Sequence, residues 1–355
     1  MLILAINPGS TSTKLGLYED RQSLCTETLF HSPAELAGFR TVTDQQVLRK
    51  EAVLRFLASK NTALTALAAV VGRGGLTKPV SGGTYLINAA MLQDVREGRY
   101  GEHAANLGPV LAYEIACAAG GIPAFVVDPV VVDELDDLAR VSGLPELPRE
   151  SKFHALNQKA VARRAARALG QTYENVNLIV AHLGGGISIG AHRKGRVVDV
   201  NNALDGEGPM TPERSGTLPA GGLVRLCYSG RFTQAEILRK LKGQGGLMAH
   251  LGTTDAREVE ARIQEGDPHA KLVFQALAYQ VAKGIAALGA VFGGEVDAVV
   301  LTGGLAHSEL LNGWIKERVS FLAPVMVYPG EGELDALAQG AWRVLAGEEK
   351  AKVYV

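Results

Sequence analysis

The stretch NPGSTSTK at residues 7–14 joins two short apolar runs near the start of the chain. The runs are LILAI at residues 2–6 and KLGLY at residues 14–18, and both have the length and composition of β-strands. Proline, glycine and serine between them are typical turn residues. With a third strand predicted over residues 25–30, the chain opens on three strands, the first two joined by a turn rich in hydroxyl groups.

The second half of the chain repeats this opening. Residues 178–183 and 187–192 are predicted strands, and the glycine triplet at 184–186 is the turn between them. A third strand is predicted over residues 196–200. Because both halves begin with two strands, a glycine-bearing turn and a third strand, the pattern indicates an internal duplication.

Helices and short strands alternate through the rest of the sequence, which is typical of the α/β class. The predicted helices cover residues 43–59, 109–119, 156–169, 271–292 and 334–345. The further predicted strands cover residues 67–71, 124–127, 298–301 and 325–328. The segment PELPRE at residues 145–150 is the best linker, because prolines and charged residues interrupt the pattern there. We therefore expect one domain over residues 1–149 and a second over residues 150–334.

The bulk composition excludes several classes of protein. With 36 basic and 37 acidic residues, the chain lacks the positive charge expected of a nucleic-acid-binding protein. Its three cysteines form no CxxC pair, so no disulfide framework is predicted. The apolar segment at residues 271–292 contains two lysines and is predicted as a core helix rather than a membrane span. No signal-peptide pattern precedes the first strand, so we expect a cytoplasmic protein without a membrane partner.

Three glycine-bearing turns at predicted strand ends favour phosphate binding. They lie at residues 7–14, 184–186 and 302–304. A turn that lacks Cβ atoms lets backbone N–H groups approach an anion closely. One such turn is typically a plain connection, but three in one chain favour nucleotide binding. Neither a P-loop motif nor a GxGxxG fingerprint is present.

Charged residues in loops are suited to phosphoryl transfer, which needs positive donors around the moving group and carboxylates for a metal ion. Arg73 and Arg214 lie in glycine- or serine-rich loops, where a planar guanidinium can bind a carboxylate or phosphate through two hydrogen bonds. Asp128 ends an apolar strand and either orients a metal or substrate or caps the following turn. Glu331 and Glu333 either reach Mg²⁺ or lie in solvent.

Three of the eight histidines lie at positions that suit a site. His103 is in a loop, His154 precedes a predicted helix, and His182 ends the first strand of the second half. A lone histidine is more often a satisfied polar residue than a functional one. Spacing alone therefore assigns a role to none of the three.

Several motifs, in order along the chain, resemble those of the acetokinase family of acetate and butyrate kinases. The stretch at residues 7–14 resembles the family's first phosphate motif, and HLGGGIS at residues 182–188 is similar to its second. LTGGLA at residues 301–306 is similar to its adenosine motif. The proline and threonines of the first motif, and GRGG at residues 72–75, resemble the form found in butyrate kinases. The resemblance runs from residue 2 to about residue 343.

The resemblance implies two duplicated RNase H-like domains of the actin-like ATPase fold, with a cleft between them that closes over ATP. It also implies that a C-terminal helix, at about residues 335–355, packs back on the first domain. The residues that match the nucleotide-binding motifs are Asn7, Ser10, Ser12, Lys14, His182, Gly184, Gly185, Gly186, Gly303 and Gly304. Those that match catalytic groups are Arg73, Asp128, His154 and Arg214. Those that match substrate-binding groups are Arg73, His103 and Arg214. Glu331 and Glu333 both resemble the family's metal-site glutamate.

The same resemblance implies direct in-line transfer from ATP to a short-chain carboxylate, butyrate or a branched analogue, with Mg²⁺ as cofactor. The products would be ADP and an acyl phosphate. A homo-oligomer, dimer or higher, is expected by analogy with the family. Three alternatives stay open. An acetate or propionate kinase differs by only about 1–3 kcal/mol in pocket binding. A sugar kinase would use Asp128 as general base, and a non-catalytic actin-like module would only bind ATP.

Overall fold

The computed structural model describes all 355 residues of the chain. It contains twelve strands. They are β1 (Leu2–Pro8), β2 (Ser12–Glu19), β3 (Gln22–Phe30), β4 (Leu67–Arg73), β5 (Thr84–Leu86), β6 (Ala124–Val127), β7 (Asn177–Leu183), β8 (Ile187–Arg193), β9 (Arg196–Val200), β10 (Ala298–Gly303), β11 (Val325–Pro329) and β12 (Lys352–Val353).

Thirteen α-helices accompany these strands. They are α1 (Pro33–Leu36), α2 (Gln46–Ser59), α3 (Ala89–Glu97), α4 (Leu107–Ala118), α5 (Asp137–Arg140), α6 (Ala155–Ala168), α7 (Ala220–Cys227), α8 (Gln234–Leu241), α9 (Gly246–Leu251), α10 (Ala256–Gln264), α11 (Pro268–Leu288), α12 (Glu309–Val319) and α13 (Glu333–Leu345).

The chain divides into two compact units. The first comprises Met1–Val132 and Gly332–Val355, and the second comprises Asp133–Glu331. The C-terminal helix α13 therefore belongs to the first unit.

The segment 133–149, which the sequence pattern assigns to the first domain, packs with the second unit in the structure. Arg149 ties its end to β9, because its guanidinium donates to the Asp199 carboxylate at 2.9 Å and to the Val200 carbonyl at 3.0 Å. The prolines around Arg149 looked like a linker, but these contacts come from residues about fifty positions further along the chain. The compact units consequently divide before this segment rather than after it.

The first unit is built on a seven-stranded sheet in the order β12-β5-β6-β4-β1-β2-β3. Alternate side chains of its strands face opposite layers of helices. Leu4, Ile6 and Val126 belong to one apolar cluster with residues of α2, α3 and α4. Val127 points the other way, because a Cβ added at Gly340 of α13 would overlap its side chain. Helices thus cover both faces of the sheet.

The second unit is built on a five-stranded sheet in the order β11-β10-β7-β8-β9. Ile179, Ala181 and Leu183 of β7 pack in the core with α11 and α12. Leu178 and Val180, which alternate with them, pack against α6. This alternation determines which polar residues of the unit meet α6, because His182 lies on the same face as Val180.

The two sheets share one topology. The order β3-β2-β1-β4-β6 in the first unit corresponds to β9-β8-β7-β10-β11 in the second. Of these five strands in each sheet, the first three along the chain pair antiparallel in succession. The fourth pairs parallel with the first, and the fifth pairs parallel with the fourth. The predicted α/β class and internal duplication are therefore confirmed.

One helix, Pro268–Phe292, is long and apolar enough by length and composition to cross a membrane. In the structure its α-helical part, α11, buries Phe274, Leu277 and Ile285 in the apolar core of the second unit. It packs as a core helix, as its interspersed polar residues predict.

Candidate active site

The first hairpin turn lies between β1 and β2. Asn7 pairs with Lys14 across the hairpin, and the Gly9 N–H donates to the Ser12 carbonyl at 2.8 Å. Ser10 and Lys14 are exposed, whereas Asn7 is buried. The turn therefore presents a hydroxyl and a lysine to solvent, as an anion-binding loop requires, while its first residue is anchored inside the unit.

Arg49, which carried no motif signal in the sequence, supports this turn from inside. Its side chain on α2 is fully buried, and all five of its N–H groups donate hydrogen bonds. The acceptors are the carbonyls of Ser10 at 3.0 Å and Ser12 at 2.8 Å, the Thr13 hydroxyl, and the side-chain oxygen of Gln45. Burial lowers the pKa of Arg49 to about 10, so the guanidinium stays charged at neutral pH. The turn thus rests on a buried cation.

Arg73, the last residue of β4, lies beside the base of the same hairpin. Its guanidinium forms an ion pair with Glu333 at the start of α13, and its Nη1 lies 3.5 Å from the Asn7 side-chain oxygen. The Asn7 amide donates to the other Glu333 oxygen at 2.6 Å. Asn7, Arg73 and Glu333 therefore form one cluster within the first unit, in which Glu333 holds both partners.

Asp128 and His103 each bond to nearby backbone in the first unit. Asp128 follows β6, is buried, and has a φ of 38°, which is uncommon for a residue with a side chain. Its Oδ1 accepts from the Gly83 N–H at 2.7 Å, and its own N–H donates to the Gly83 carbonyl at 3.0 Å. His103 is exposed, and its Nδ1 accepts from the Ala105 N–H at 3.1 Å. These bonds fix the local turns.

In the second unit, the turn between β7 and β8 packs against Arg214. A Cβ added at Gly186 would overlap the Arg214 guanidinium, so this contact requires glycine. The Thr211 hydroxyl donates to the Gly185 carbonyl at 2.6 Å and accepts from the Arg214 N–H at 3.0 Å. The loop that carries Arg214 is thereby fixed to the glycine turn.

The Arg214 guanidinium is largely buried but incompletely paired. Its Nη1 donates to the Ala203 carbonyl, and its Nη2 lies 3.6 Å from the Glu213 carboxylate. Its Nε is buried and has no hydrogen-bond acceptor. Burial lowers the pKa of Arg214 from its usual value. A buried donor without an acceptor costs about 1–3 kcal/mol, so the protein alone does not satisfy this guanidinium.

His154 and His182 form a stacked pair in the second unit. Their ring centroids are 3.8 Å apart, with 10° between the planes. His182 bonds through Nδ1 to the side-chain oxygen of Asn157 on α6 at 2.7 Å. His154 bonds through Nδ1 to the Ser188 hydroxyl on β8 at 2.8 Å. Two histidines that are 28 positions apart in sequence thus lie together, each held by a side chain of a neighbouring element.

The third glycine turn follows β10. Gly303 has a φ of 88°, and a Cβ there would overlap the Leu183 carbonyl, so the turn requires glycine. Gly303 exchanges backbone hydrogen bonds with Gly330 at 3.1 and 3.0 Å. Gly304 is exposed. The neighbouring Glu331 side chain is exposed and has no hydrogen-bond or ion-pair partner in the chain.

The carboxylates do not form a ready-made metal centre. No group of three or more His, Cys, Asp or Glu side chains is positioned to hold a metal ion. Mg²⁺ usually takes only one or two protein carboxylates and completes its shell with water and phosphate oxygens. The exposed Glu331 carboxylate fits such a ligand, whereas both Glu333 oxygens accept hydrogen bonds from Asn7 and Arg73.

Each unit therefore assembles part of the predicted site. The first unit joins Asn7, Arg73 and Glu333, and the second joins His154, His182, Arg214 and the 184–186 turn. The side chain of Lys14 forms no hydrogen bond or ion pair with that first cluster. Supporting residues without a sequence signal are Arg49, Asn157, Gln158 and His192. Each is a polar residue that is buried by tertiary packing, which a single sequence does not reveal.

A comparison with protein families matches residues 147–315 of this chain to the acetokinase family. Among curated proteins, butyrate kinase 2 of Clostridium acetobutylicum is 53% identical over 352 residues, which cover 99% of each chain.

Solved structures resemble the chain in fold. Acetate kinase of Porphyromonas gingivalis has a TM-score of 0.77 and 22% identity, with 96% of this chain and 98% of that chain covered. A propionate kinase of Francisella tularensis has a TM-score of 0.71 and 22% identity, with 95% and 98% covered. The predicted actin-like ATPase fold is thus confirmed.

Proposed function

This chain belongs to the acetokinase family, and on that premise we propose that it transfers the γ-phosphoryl group of ATP to the carboxylate of butyrate or a branched short-chain acid. The products are ADP and an acyl phosphate, and the reaction is reversible. The observation that carries the proposal is the alignment with a butyrate kinase over nearly the full length of both chains. A shared fold alone would not support it, because one fold hosts many activities.

The nucleotide is ATP in one direction and ADP in the other. Its phosphates bind at the turns of residues 7–14 and 184–186, where backbone N–H groups can approach an anion. Ser10 and Lys14 add exposed donors to the first turn. The adenosine lies near Gly303 and Gly304. Glu331 is the carboxylate that would hold Mg²⁺, which supplies positive charge to the phosphate oxygens when bound.

The carboxylate acceptor needs no general base, because it is ionised at pH 7. One of its oxygens attacks the γ-phosphorus while the bond to the bridging oxygen of ADP breaks. Arg73, Arg214 and His154 donate to the oxygens of the reactants and stabilise the charge on the moving group. Arg214 suits this role because its Nη2 has only a 3.6 Å ion pair with Glu213 within the protein.

A sugar kinase with Asp128 as general base is the rival activity. The Asp128 carboxylate accepts the Gly83 N–H at 2.7 Å, and the side chain is buried. A carboxylate that is already bonded to the backbone of a neighbouring turn is suited to orienting that turn rather than to taking a proton from a hydroxyl group. The site thus supports a carboxylate acceptor better than a hydroxyl acceptor.

A small apolar cavity in the first unit is lined by the residues that follow Arg73 in sequence, and we propose that it marks the closed end of the acyl pocket. Its lining includes Gly74, Gly75, Tyr85, Met91, Val126 and Tyr354. Replacement of Met91 by Ala should move the preference toward longer acids, because removal of a buried side chain enlarges the cavity. Steady-state kinetics with acetate, propionate, butyrate and valerate would measure the shift. Leu92→Ala is the matched control, since Leu92 is equally buried but does not line the cavity.

The activity itself is tested by trapping acyl phosphate as a hydroxamate, with ATP and Mg²⁺, on butyrate, isobutyrate, acetate and glucose. More product from butyrate than from acetate would support the proposal. Product from acetate alone would keep the mechanism and replace the substrate. ATP binding without hydroxamate from any acid would count against a carboxylate kinase and favour the non-catalytic module.

The assembly and the compartment complete the proposal. We propose a homo-oligomer, dimer or higher, that acts in the cytoplasm. Light scattering of the purified chain tests the first statement, since a monomeric mass would contradict it. Cell fractionation tests the second.

A further inference from the structure

The face of β8 that packs against α6 carries a line of polar side chains. Ser188 and His192 lie on the same face, four positions apart, because alternate strand residues point the same way. Both are completely buried. Gly190 lies between them, and a Cβ there would be 2.6 Å from the Oε1 of Gln158. The glycine thus leaves room for the Gln158 side chain, from α6, to span the two strand residues.

These residues form one continuous chain of hydrogen bonds. The Tyr173 hydroxyl lies 2.8 Å from the Nδ1 of His192, and the Nε2 of His192 lies 2.9 Å from the Oε1 of Gln158. The Nε2 of Gln158 lies 2.7 Å from the Ser188 hydroxyl, which lies 2.8 Å from the Nδ1 of His154. The chain therefore runs from the buried interior to the stacked histidine.

The direction of each bond follows from which atoms can only accept. The Gln158 amide also donates to the Ser188 backbone carbonyl at 3.0 Å, so its nitrogen faces Ser188 and its oxygen faces His192. The Gln158 oxygen can only accept, so His192 carries a proton on Nε2. Burial lowers the pKa of His192 well below its usual value, so the ring is neutral and Nδ1 accepts from Tyr173.

Ser188 transmits this direction to His154. Its hydroxyl oxygen accepts from the Gln158 amide at 2.7 Å and from the His154 backbone N–H at 3.4 Å. Two acceptances fill both lone pairs of a hydroxyl oxygen, so its single hydrogen must be donated. The remaining neighbour is the Nδ1 of His154. A proton on that nitrogen would place a third donor on the oxygen and leave the Ser188 hydrogen without an acceptor.

We propose that Tyr173, His192, Gln158 and Ser188 are positioning residues that form a one-way hydrogen-bond chain and fix the imidazole proton of His154 on Nε2. Nε2 lies across the ring from the Ser188 hydroxyl and is the nitrogen that would donate to the transferring phosphoryl group. The catalytic part of this inference rests on the proposed function, whereas the tautomer does not.

His182, the stacked partner of His154, carries its proton on the other ring nitrogen. The Asn157 amide donates to the Glu331 carbonyl at 2.7 Å, so its oxygen faces His182 and accepts the Nδ1 proton of that ring. The two rings therefore hold opposite tautomers, His154 with a proton on Nε2 and His182 with a proton on Nδ1. A preset donor needs no reorganisation as charge develops on the reactants, which is how fixed dipoles accelerate a reaction.

Nitrogen NMR of the intact protein, with ¹⁵N in the histidine rings, tests the tautomer. His154→Gln identifies the His154 signals among the eight histidines. The expected spectrum shows the neutral His154 ring with a proton on Nε2 only, and Ser188→Ala should give a mixture of tautomers. A proton on Nδ1 in the wild type would overturn the proposal, and so would an unchanged tautomer in Ser188→Ala.

Kinetics test the consequence. Ser188→Ala should lower kcat about tenfold, the worth of one hydrogen bond, while KM for ATP and for butyrate stays within about twofold. Ser188→Thr keeps the hydroxyl and should restore most of the loss. If both variants lowered kcat alike, the hydroxyl would not be the cause and the proposal would be wrong. If Ser188→Ala did not fold, the wild-type spectrum would still decide the tautomer.

Failure of the proposed function can be distinguished from failure of the proposed hydrogen-bond chain. The NMR spectrum is recorded on the resting protein without substrates, so an Nε2 tautomer in a protein that forms no acyl phosphate would refute only the proposed function. An Nδ1 tautomer in an active butyrate-phosphorylating enzyme would refute only the hydrogen-bond chain.

Discussion

The two glycine-bearing hairpins have the same strand topology but rest on different chemistry. The first, between β1 and β2, lies on the buried Arg49 guanidinium. Three of its hydrogen bonds end on oxygens of the hairpin, and the other two end on the Gln45 side-chain oxygen. The turn of the second, between β7 and β8, packs against Arg214, but its strands are supported from α6 by neutral side chains, with Asn157 against His182 and Gln158 against Ser188.

The two supports give the hairpins different properties. A buried cation raises the local positive potential and so favours an anion at the turn above it, but it must be desolvated and needs all its donors satisfied. A chain of neutral hydrogen bonds adds no charge, but it can fix where a proton lies. The interior residues therefore specialise the duplicated scaffold: α2 places a buried charge beneath the first hairpin, and α6 orients a histidine beside the second.

The arginines beside the hairpins give the largest expected effect. Arg73→Ala and Arg214→Ala should each lower turnover about 10²–10³-fold, because each removes a donor to the reacting groups. Arg214→Lys should stay impaired, since an ammonium group cannot reproduce the planar fork. The hydroxamate assay measures turnover. Arg225→Ala, an exposed arginine of α7, is the control and should leave turnover unchanged. Near-normal turnover in Arg214→Ala would remove it from the site.

Replacement of Arg49, which supports the first hairpin, should have the next largest effect. Arg49→Met should lower the free energy of unfolding by about 3 kcal/mol, because buried acceptors lose their donors. It should also weaken ATP binding, since the Ser10 and Ser12 carbonyls are no longer held. Urea unfolding and calorimetric titration measure the two quantities. Arg55→Met, exposed on the same helix, should change neither. A loss below about 0.5 kcal/mol would show that the buried cation is dispensable.

Sequence reasoning located most of the fold because its strands and long helices have clear periodicity. Residues 124–127 and 196–200 were predicted with the observed bounds of β6 and β9, and other strands were one to three residues too short at their ends. The strands β5 and β12 were missed because they have three and two residues. The helices α7–α10 have six to nine residues each, too few for a periodic pattern.

The site could be predicted where a residue type is unusual in its local setting. Arg73 and Arg214 stand out because they lie beside glycines in loops. Arg49 does not, because within QVLRKEAVLRF it reads as one of several exposed helix charges, and only packing beneath the hairpin buries it. Gln158 is hidden for the same reason. The interior supports that distinguish the two hairpins are therefore the part of the site that a single sequence does not show.

A substitution that crowds Gln158 tests the support of the second hairpin. Gly190→Ala should lower the free energy of unfolding by about 2 kcal/mol, because the new Cβ would be 2.6 Å from Gln158 Oε1 and must displace it. Urea unfolding measures the change. Gly313→Ala in α12 is the matched control, since nothing lies within 4 Å of its Cβ position. That control should be neutral or stabilising by about 0.5–1 kcal/mol, because alanine favours a helix more than glycine does. Equal effects of the two variants would mean that Gln158 has room to move.

The smallest expected effect comes from Tyr173, at the far end of the hydrogen-bond chain. Tyr173→Phe keeps the ring that lies 5.6 Å from the Lys159 ammonium and removes only the hydroxyl that donates to His192. The free energy of unfolding should fall by about 1 kcal/mol, because the buried His192 Nδ1 loses its donor. Tyr328→Phe is the control, since its hydroxyl contacts only the Met326 sulfur at 3.8 Å and should be worth a few tenths of a kcal/mol. With its donor gone, His192 is held only through Gln158, whereas the Gln158 amide stays fixed by the Ser188 carbonyl. The His154 tautomer should therefore change much less than in Ser188→Ala. A stability loss without any change at His154 would confine Tyr173 to a packing role and end the chain at His192.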